Sequence, residues 1–238
     1  MLKRFADFTV SLIGLIILFP IIIIVAITIF LSDGKSPFYI ANRVGKDERL
    51  FLMVKLRSMK ENADSTGVSS TASDDKRITF IGQYVRRFKI DELMQLWNVL
   101  KGDMSLVGPR PNVRNEVETY TALEKKLLSI RPGITDFASI VFADESDILF
   151  NKKNPDLSYN QLIRPTKSRL GLHYISCQSM TIDIIIIFLT IFSFISRKST
   201  LKIISKILEY TNSDKDLQTI VLRESPLMPM LPPDLTDR

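Results

Sequence analysis

Apolar and polar positions fall into three regimes along this chain. Residues 8–32, FTVSLIGLIILFPIIIIVAITIFLS, hold no charged side chain over 25 consecutive positions. As one helix the run would measure roughly 37 Å, against a bilayer hydrocarbon core of about 30 Å. It therefore predicts a membrane segment, and no small-x-small pattern follows to mark a cleaved leader. Pro20 near its centre removes a backbone donor and predicts a break, leaving halves of about 18 Å, close to one leaflet. Basic residues flank both ends, Lys3 and Arg4 before, then Lys35, Arg43, Lys46 and Arg49 after. A segment that enters and returns keeps both groups in the cytoplasm, whereas a straight pass carries one across. A re-entrant hairpin broken at Pro20 is the expected element, with a straight single pass as the alternative.

The second regime is soluble in character. Residues 36–59 alternate apolar and polar positions around Gly45-Lys46-Asp47, which predicts a β-hairpin. Residues 61–76, ENADSTGVSSTASDDK, predict a mobile loop, either a lid or a passive connector. Beyond it Ile90, Leu93, Trp97 and Leu100 recur at steps of three, four and three, predicting one buried helical stripe that Gly102 ends.

The third regime is residues 184–196, IIIIFLTIFSFIS, an uncharged run of about 20 Å, too short to span. Arg197, Lys198, Lys202 and Lys206 follow, as suits an amphipathic segment at an anionic interface; a buried core helix is the competing reading. From Thr211 the chain is polar, and Pro226, Pro229, Pro232 and Pro233 predict a poorly packed tail. The resulting expectation is a mixed, helix-rich α/β protein: a membrane segment (1–34), a compact catalytic domain with interfacial amphipathic helices (35–200), and a C-terminal helix with a Pro-rich tail (201–238).

Composition narrows the chemistry. One cysteine, Cys177, excludes a disulfide framework and fits a reducing compartment. The lone His173 cannot build a zinc cluster, so a metal would need oxygen ligands, which favours magnesium. A net charge of +6 suits anionic headgroups or phosphorylated substrates. Neither a base-reading motif nor a basic stretch interleaved with aromatics is present, which disfavours nucleic acid.

The candidate site is the acidic pair Asp91-Glu92 at the start of the predicted helix. Such a pair is also an ordinary N-terminal cap. Its neighbours add a second reading: Arg86 and Arg87 lie upstream, and Arg110 sits between Pro109 and Pro111, whose rings restrict the backbone. Arginine suits bidentate phosphate recognition. Lys55 and Arg57 are expected to face the substrate or the headgroups, and otherwise a solvated face. Arg77 either ties the polar loop to the domain or touches a nucleotide. His173 and Cys177 read as structural, and Asp144, Glu145 and Asp147 as a solvated loop rather than a metal site.

The run KIDELMQLWNVLKGDMSLVGPRP resembles the signature of the bacterial sugar transferase family, the monotopic phosphoglycosyl transferases that initiate polysaccharide and glycoconjugate assembly. RVGKDERLFLMVKLRSM, DKRITFIGQYVRR and RPGITDFASI are similar to further family segments in the expected order, so the likeness covers roughly residues 1–195. The resemblance implies transfer of a phosphosugar from a UDP-sugar to polyprenyl (undecaprenyl) phosphate with release of UMP, using Mg2+ and a covalent intermediate. It implies Asp91 as nucleophile and metal contact, Glu92 as the base that activates the acceptor, and Arg86 and Arg110 as phosphate or acceptor binders. Arg131-Pro132-Gly133 would border the sugar pocket. The implied location is the bacterial inner (cytoplasmic) membrane with the catalytic domain on its cytoplasmic face; a homodimer is left open. A membrane-tethered scaffold of the same fold without activity, and a single-pass transferase facing the opposite side, are the alternatives. Three positions depart from the family pattern: Phe19 stands where serine usually precedes the proline, Met94 where proline follows Asp-Glu-Leu, and Asp136-Phe137 where many members have Gly-Trp.

Overall fold

The computed structural model describes residues 2–68 and 70–234, so Met1, residue 69 of the polar loop and residues 235–238 of the tail lie outside the described residues. The elements run α1 (Leu2–Asp33), β1 (Phe38–Val44), β2 (Leu50–Leu56), α2 (Phe80–Arg87), α3 (Gln95–Lys101), β3 (Ser105–Val107), α4 (Arg114–Val117), β4 (Gly133–Thr135), α5 (Phe137–Val141), α6 (Glu145–Ile148), α7 (Pro155–Leu162), α8 (Arg164–Cys177), α9 (Met180–Ser193), α10 (Arg197–Tyr210) and α11 (Lys215–Ile220). Among the described residues helices dominate, with two small sheets: β1 and β2 pair antiparallel, β3 and β4 in parallel. The mixed, helix-rich class is the one expected.

The apolar run forms one helix, and Pro20 lies inside it. The expected break into two separate helices does not occur. A proline removes one helical hydrogen bond, and the turns on either side hold the element together. α1 is long and apolar enough to cross a membrane, with a mean hydropathy of 3.2 over a window that is 11% buried. Its inward face packs on the domain: Ile22 and Ile29 are buried in one cluster with Leu56 and Val85.

Both ends of α1 are fixed to the soluble part. At the start, Lys3 pairs with Asp183 of α9, Arg4 donates to the Val99 and Leu100 carbonyls that end α3, and Asp7 accepts from the Ser105 hydroxyl (2.8 Å) and Leu106 N–H (3.2 Å). At the far end, Asp33 pairs with Arg57 just past β2 (2.6 Å). Asp7 and Asp183 are buried; the signal they left in the sequence was a carboxylate set within or beside an apolar run.

The hairpin turns where expected, with Asp47 and Glu48 at positive φ of 54° and 60°. The predicted stripe at Ile90, Leu93, Trp97 and Leu100 is corrected. Lys89 takes a left-handed conformation (φ 56°), and a 3-10 turn, Ile90–Met94, precedes α3. That tighter winding shifts the phase of the side chains. Ile90 and Leu93 pack under α1, but Trp97 is 49% exposed, and Asp91, Gln95, Asn98 and Val99 turn inward. Asn98 splices α3 onto β2, donating to the Leu52 carbonyl (2.7 Å) and accepting from Val54 N–H (3.0 Å).

The main core surrounds α8, whose Leu170 and Tyr174 are fully buried with Phe137, Ile186, Ile204 and Leu208. On α9, Ile186 and Leu189 face this core while Ile184, Phe188 and Ile191 are exposed, so the short apolar run has one buried and one open face. α10 crosses position 200 and contributes Leu201, Ile204 and Leu208 to the same core. The described tail is docked rather than unpacked. Leu227 packs against the core, Met230 N–H donates to the Gln161 carbonyl (2.9 Å), and the Pro233 carbonyl accepts from the Thr121 hydroxyl (2.9 Å). An extended proline-rich strand has few N–H groups to satisfy, so it binds a helical surface with few partners.

Arg77 ties down the polar loop, donating to the carbonyls of Ala63 (3.2 Å), Val68 (2.8 Å) and Ser70 (3.2 Å). The acidic cluster is pinned, not merely solvated: Asp144 pairs with Arg197 (2.7 Å) and Arg223 (3.3 Å), and Glu145 pairs with Lys167. His173 bonds Thr211 (2.7 Å) and Cys177 is half-buried in α8, both structural as expected.

Candidate active site

The acidic pair sits where three elements meet. The 3-10 turn lifts Asp91 and Glu92 against β2, and strand alternation presents Lys55 to both: its Nζ lies 3.3 Å from Glu92 Oε1 and 4.0 Å from Asp91 Oδ2. Arg110 arrives from the loop after β3. Two glycines permit that approach. A Cβ on Gly133 would lie 2.1 Å from Gly108 N, and one on Gly108 would lie 2.6 Å from the Arg131 carbonyl oxygen. The backbones therefore touch, with Gly108 N–H donating to the Thr135 carbonyl (3.0 Å) and Gly133 N–H to that of Pro109 (2.9 Å). This fixes the Pro109-Arg110-Pro111 turn against β4. Arg110 then donates to Glu92 with both terminal nitrogens (2.9 and 2.6 Å) and to the Ile134 carbonyl (2.6 Å).

The two carboxylates differ sharply. Both Glu92 oxygens are engaged by cations. Asp91 is buried, and its Oδ1 has no hydrogen-bond partner among the described residues. Burial raises the Asp91 pKa, Lys55 opposes this only in part, and the Glu92 charge adds to the rise. Burial also acts to raise Glu92, but Arg110 and Lys55 outweigh it and hold that carboxyl well below its usual range. Burial lowers Lys55 despite the attraction of Glu92. Burial would lower Arg110 too, but Glu92 overrides it and the guanidinium stays charged. Adjacent carboxylates thus split in their proton affinity.

Arg86, at the end of α2, acts on Asp91 electrostatically and forms no ion pair with a carboxylate among the described residues. It is a cation near the site that remains free for a ligand. Arg57 is not at the site. It is buried, with bonds to Asp33 (2.7 and 2.6 Å) and to the Ser36 carbonyl (2.7 Å), and so clamps the end of α1. Lys55 and Arg57 share parity, but β2 ends at Leu56 and the chain turns away. Asp136, beside Arg110, is a buried N-cap of α5, accepting from Ser139 N–H (2.6 Å). Gln95, one turn beyond Asp91, is fully buried, with both amide atoms unpaired among the described residues; the sequence pattern did not single it out.

Among the described residues no three His, Cys, Asp or Glu side chains gather into a metal cluster. A hard cation taken partly by the substrate needs fewer protein ligands, and the unpaired Asp91 Oδ1 fits that arrangement. A shallow cleft opens beside Arg110, with Asn112, Tyr120, Leu127, Leu128 and Pro132 in its lining.

The site thus holds a buried carboxylate with one oxygen unpaired among the described residues, beside Lys55, Glu92 and Arg110 and close to the cluster that α1 covers. The chain belongs to the bacterial sugar transferase family, whose model matches residues 1–197. It is 37% identical over 200 residues to galactosyl transferase CpsE of Streptococcus agalactiae, covering 79% of this chain and 41% of that protein. It is 32% identical over 204 residues to the exopolysaccharide production protein ExoY of Sinorhizobium fredii, covering 79% and 83% respectively. With the UDP-glucose:undecaprenyl-phosphate glucose-1-phosphate transferase of Escherichia coli it shares 32% identity over 196 residues, covering 81% and 40%. The chain thus spans less than half of some of these relatives and most of another.

Proposed function

We propose that this chain transfers a phosphosugar from a UDP-sugar to undecaprenyl phosphate at the cytoplasmic face of the inner membrane. An Asp91 oxygen attacks the sugar-bearing phosphorus of the donor, the phosphorus–oxygen bond to UMP breaks, and UMP leaves with that electron pair. The product is an aspartyl phosphosugar. An oxygen of undecaprenyl phosphate then attacks the same phosphorus, the bond to Asp91 breaks, and the carboxylate is restored. Splitting the transfer in this way replaces one difficult step with two. The observation that carries the reading is the contrast within the acidic pair: Glu92 is locked by cations, while Asp91 keeps an unpaired oxygen.

Each cation has a role in this scheme. Lys55 and Arg86 reduce repulsion between the Asp91 carboxylate and an anionic donor. Arg110 receives the acceptor phosphate; exchanging Glu92 for that phosphate frees Glu92 to take a proton from the acceptor. Mg2+ would be held by Asp91 and the donor's diphosphate. When bound it supplies charge neutralisation on the phosphate oxygens.

The membrane arrangement follows from attachment. Both ends of α1 are tied to one domain, through Lys3, Arg4 and Asp7 and through Asp33. A helix crossing the bilayer would part these anchors, so α1 meets the bilayer from one face, bending at Pro20 without separating into two helices. The open face of α9 lies on the same lipid surface. Purified protein given UDP-sugars and undecaprenyl phosphate is expected to release UMP and to retain labelled sugar phosphate on Asp91. Normal turnover after Asp91→Asn would refute the assignment.

A further inference from the structure

The 3-10 turn and α3 carry three polar side chains on their inward side. Asp91, Gln95 and Asn98 are all buried and recur at steps of four and three, the spacing of neighbours along a helix. Both ends of this stripe face β2. Asp91 Oδ2 lies 4.0 Å from Lys55 Nζ, and Asn98 bonds the Leu52 carbonyl (2.7 Å) and Val54 N–H (3.0 Å). Ile90, Leu93 and Met94 pack instead with α1. Gln95 therefore lies between Asp91 and Asn98, on the side of β2.

The two amides of the stripe are treated differently. Asn98 has both side-chain polar atoms engaged, as a structural amide should. Gln95 is fully buried, and neither its Oε1 nor its Nε2 has a partner among the described residues. A buried, unpaired carboxamide costs stability, and an apolar side chain of the same length would avoid that cost. Asp91 Oδ1 is also buried and unpaired. Gln95 Nε2 and Asp91 Oδ1 are thus an orphaned donor and an orphaned acceptor one turn apart, while Lys55 attends the other Asp91 oxygen.

We propose that Gln95 is a positioning residue for Asp91, and that in the covalent state its Nε2–H donates to the Asp91 oxygen that does not carry phosphorus. The inference rests on the reading of Asp91 as nucleophile. Charge leaves the carboxylate as it attacks the donor and returns as the acceptor displaces it. A hydrogen bond to an anionic oxygen is stronger than one to the neutral carbonyl of an acyl phosphate. The Gln95 donor therefore assists the second step, in which the bond from phosphorus to Asp91 breaks and the carboxylate keeps the electron pair. It does not assist the first.

Gln95→Met keeps the length of the side chain and removes the donor. With labelled UDP-sugar and no acceptor, rapid quenching is expected to show UMP release and labelling of Asp91 within about twofold of the parent. Transfer of the label to added undecaprenyl phosphate is expected to slow about tenfold, so that labelled protein accumulates during turnover. Thermal stability is expected to equal or exceed that of the parent, because the resting fold loses no hydrogen bond. Equal slowing of both steps, transfer as fast as the parent's, or a less stable variant would each overturn the proposal. If Gln95→Met does not fold, Gln95→Leu decides by the same measurements, and failure of both to fold makes the amide a structural one. A parent that takes up no label on Asp91 sinks the nucleophile reading and this inference with it, whereas a labelled parent with an unaltered variant sinks the role of Gln95 alone.

Discussion

A buried arginine–carboxylate pair, Glu124–Arg164, and a half-buried one, Glu92–Arg110, differ in what surrounds them, and the difference separates function from structure. In Glu124–Arg164 (2.8 Å) both Glu124 oxygens are satisfied, by Arg164, Ser168 (2.7 Å) and Thr121 N–H, while Arg164 also bonds Thr119 and lies over the Tyr120 ring. In Glu92–Arg110 the ion pair is as close (2.6 Å), but beside it Asp91 carries an unpaired buried oxygen. A buried carboxylate with its hydrogen bonds complete holds elements together; one left open is costly to the fold and available to a substrate. Identical residue types thus serve opposite ends, depending on what their neighbours leave free.

The largest expected effect separates activity from stability at Asp91. Asp91→Asn should reduce kcat at least about a thousandfold if the side chain is the nucleophile. The same change should raise thermal stability at neutral pH. Burial lifts this pKa above its ordinary 3.8, so the folded state holds the proton more tightly than the unfolded one. The stabilising contribution exists at acid pH and is lost as pH rises through the folded value, leaving a buried charge that asparagine removes. Scanning calorimetry at two pH values measures this; a less stable variant at pH 7 would break the comparison.

Glu124→Ala is the counterpart. Removing one member of a buried, satisfied pair should cost about 3–5 kcal/mol, read by denaturant titration in detergent. Turnover per folded molecule should stay near that of the parent. A variant that folded normally but lost kcat would move this pair into the functional class.

Glu92→Gln is expected to be milder and pH-dependent. Net attraction to Arg110 and Lys55 depresses the Glu92 pKa below its ordinary 4.5. Its stabilisation is complete above that value and fades as pH falls through the folded one. The stability gap between parent and variant, roughly 3 kcal/mol at neutral pH, should therefore shrink below pH 4.5. A gap independent of pH would mean that shape, not charge, holds the pair.

The sequence carried much of the site because its parts lie on short, strongly marked pieces. Asp91-Glu92, the proline-framed Arg110 and the alternating Lys55 could each be placed by local pattern, and the structure gathers them. What escaped depended on phase and distance. A left-handed Lys89 and a 3-10 turn rotate Trp97 outward, and three-residue periodicity could not reveal that. The tail's composition suggested disorder, but composition does not register a surface elsewhere that matches Leu227, Met230 and Pro233. The anchors Asp7 and Asp183 gain meaning only once α1 lies against β3 and α9.

Arg57 marks the same limit and gives the smallest expected change. Two residues beyond Lys55 in a strand, it should share that residue's face, which made it a candidate phosphate binder. The end of β2 sends it instead to Asp33, at the foot of the membrane helix. If it only clamps that helix end, Arg57→Lys keeps a cation for Asp33 and should move both substrate KM values by no more than about twofold. A guanidinium gripping phosphate through two parallel bonds would behave differently, because lysine cannot reproduce that fork and one substrate's KM would rise about tenfold or more. Steady-state kinetics with each substrate varied in turn separates the two. A selective rise for either substrate would return Arg57 to the site and show that the clamp opens during turnover.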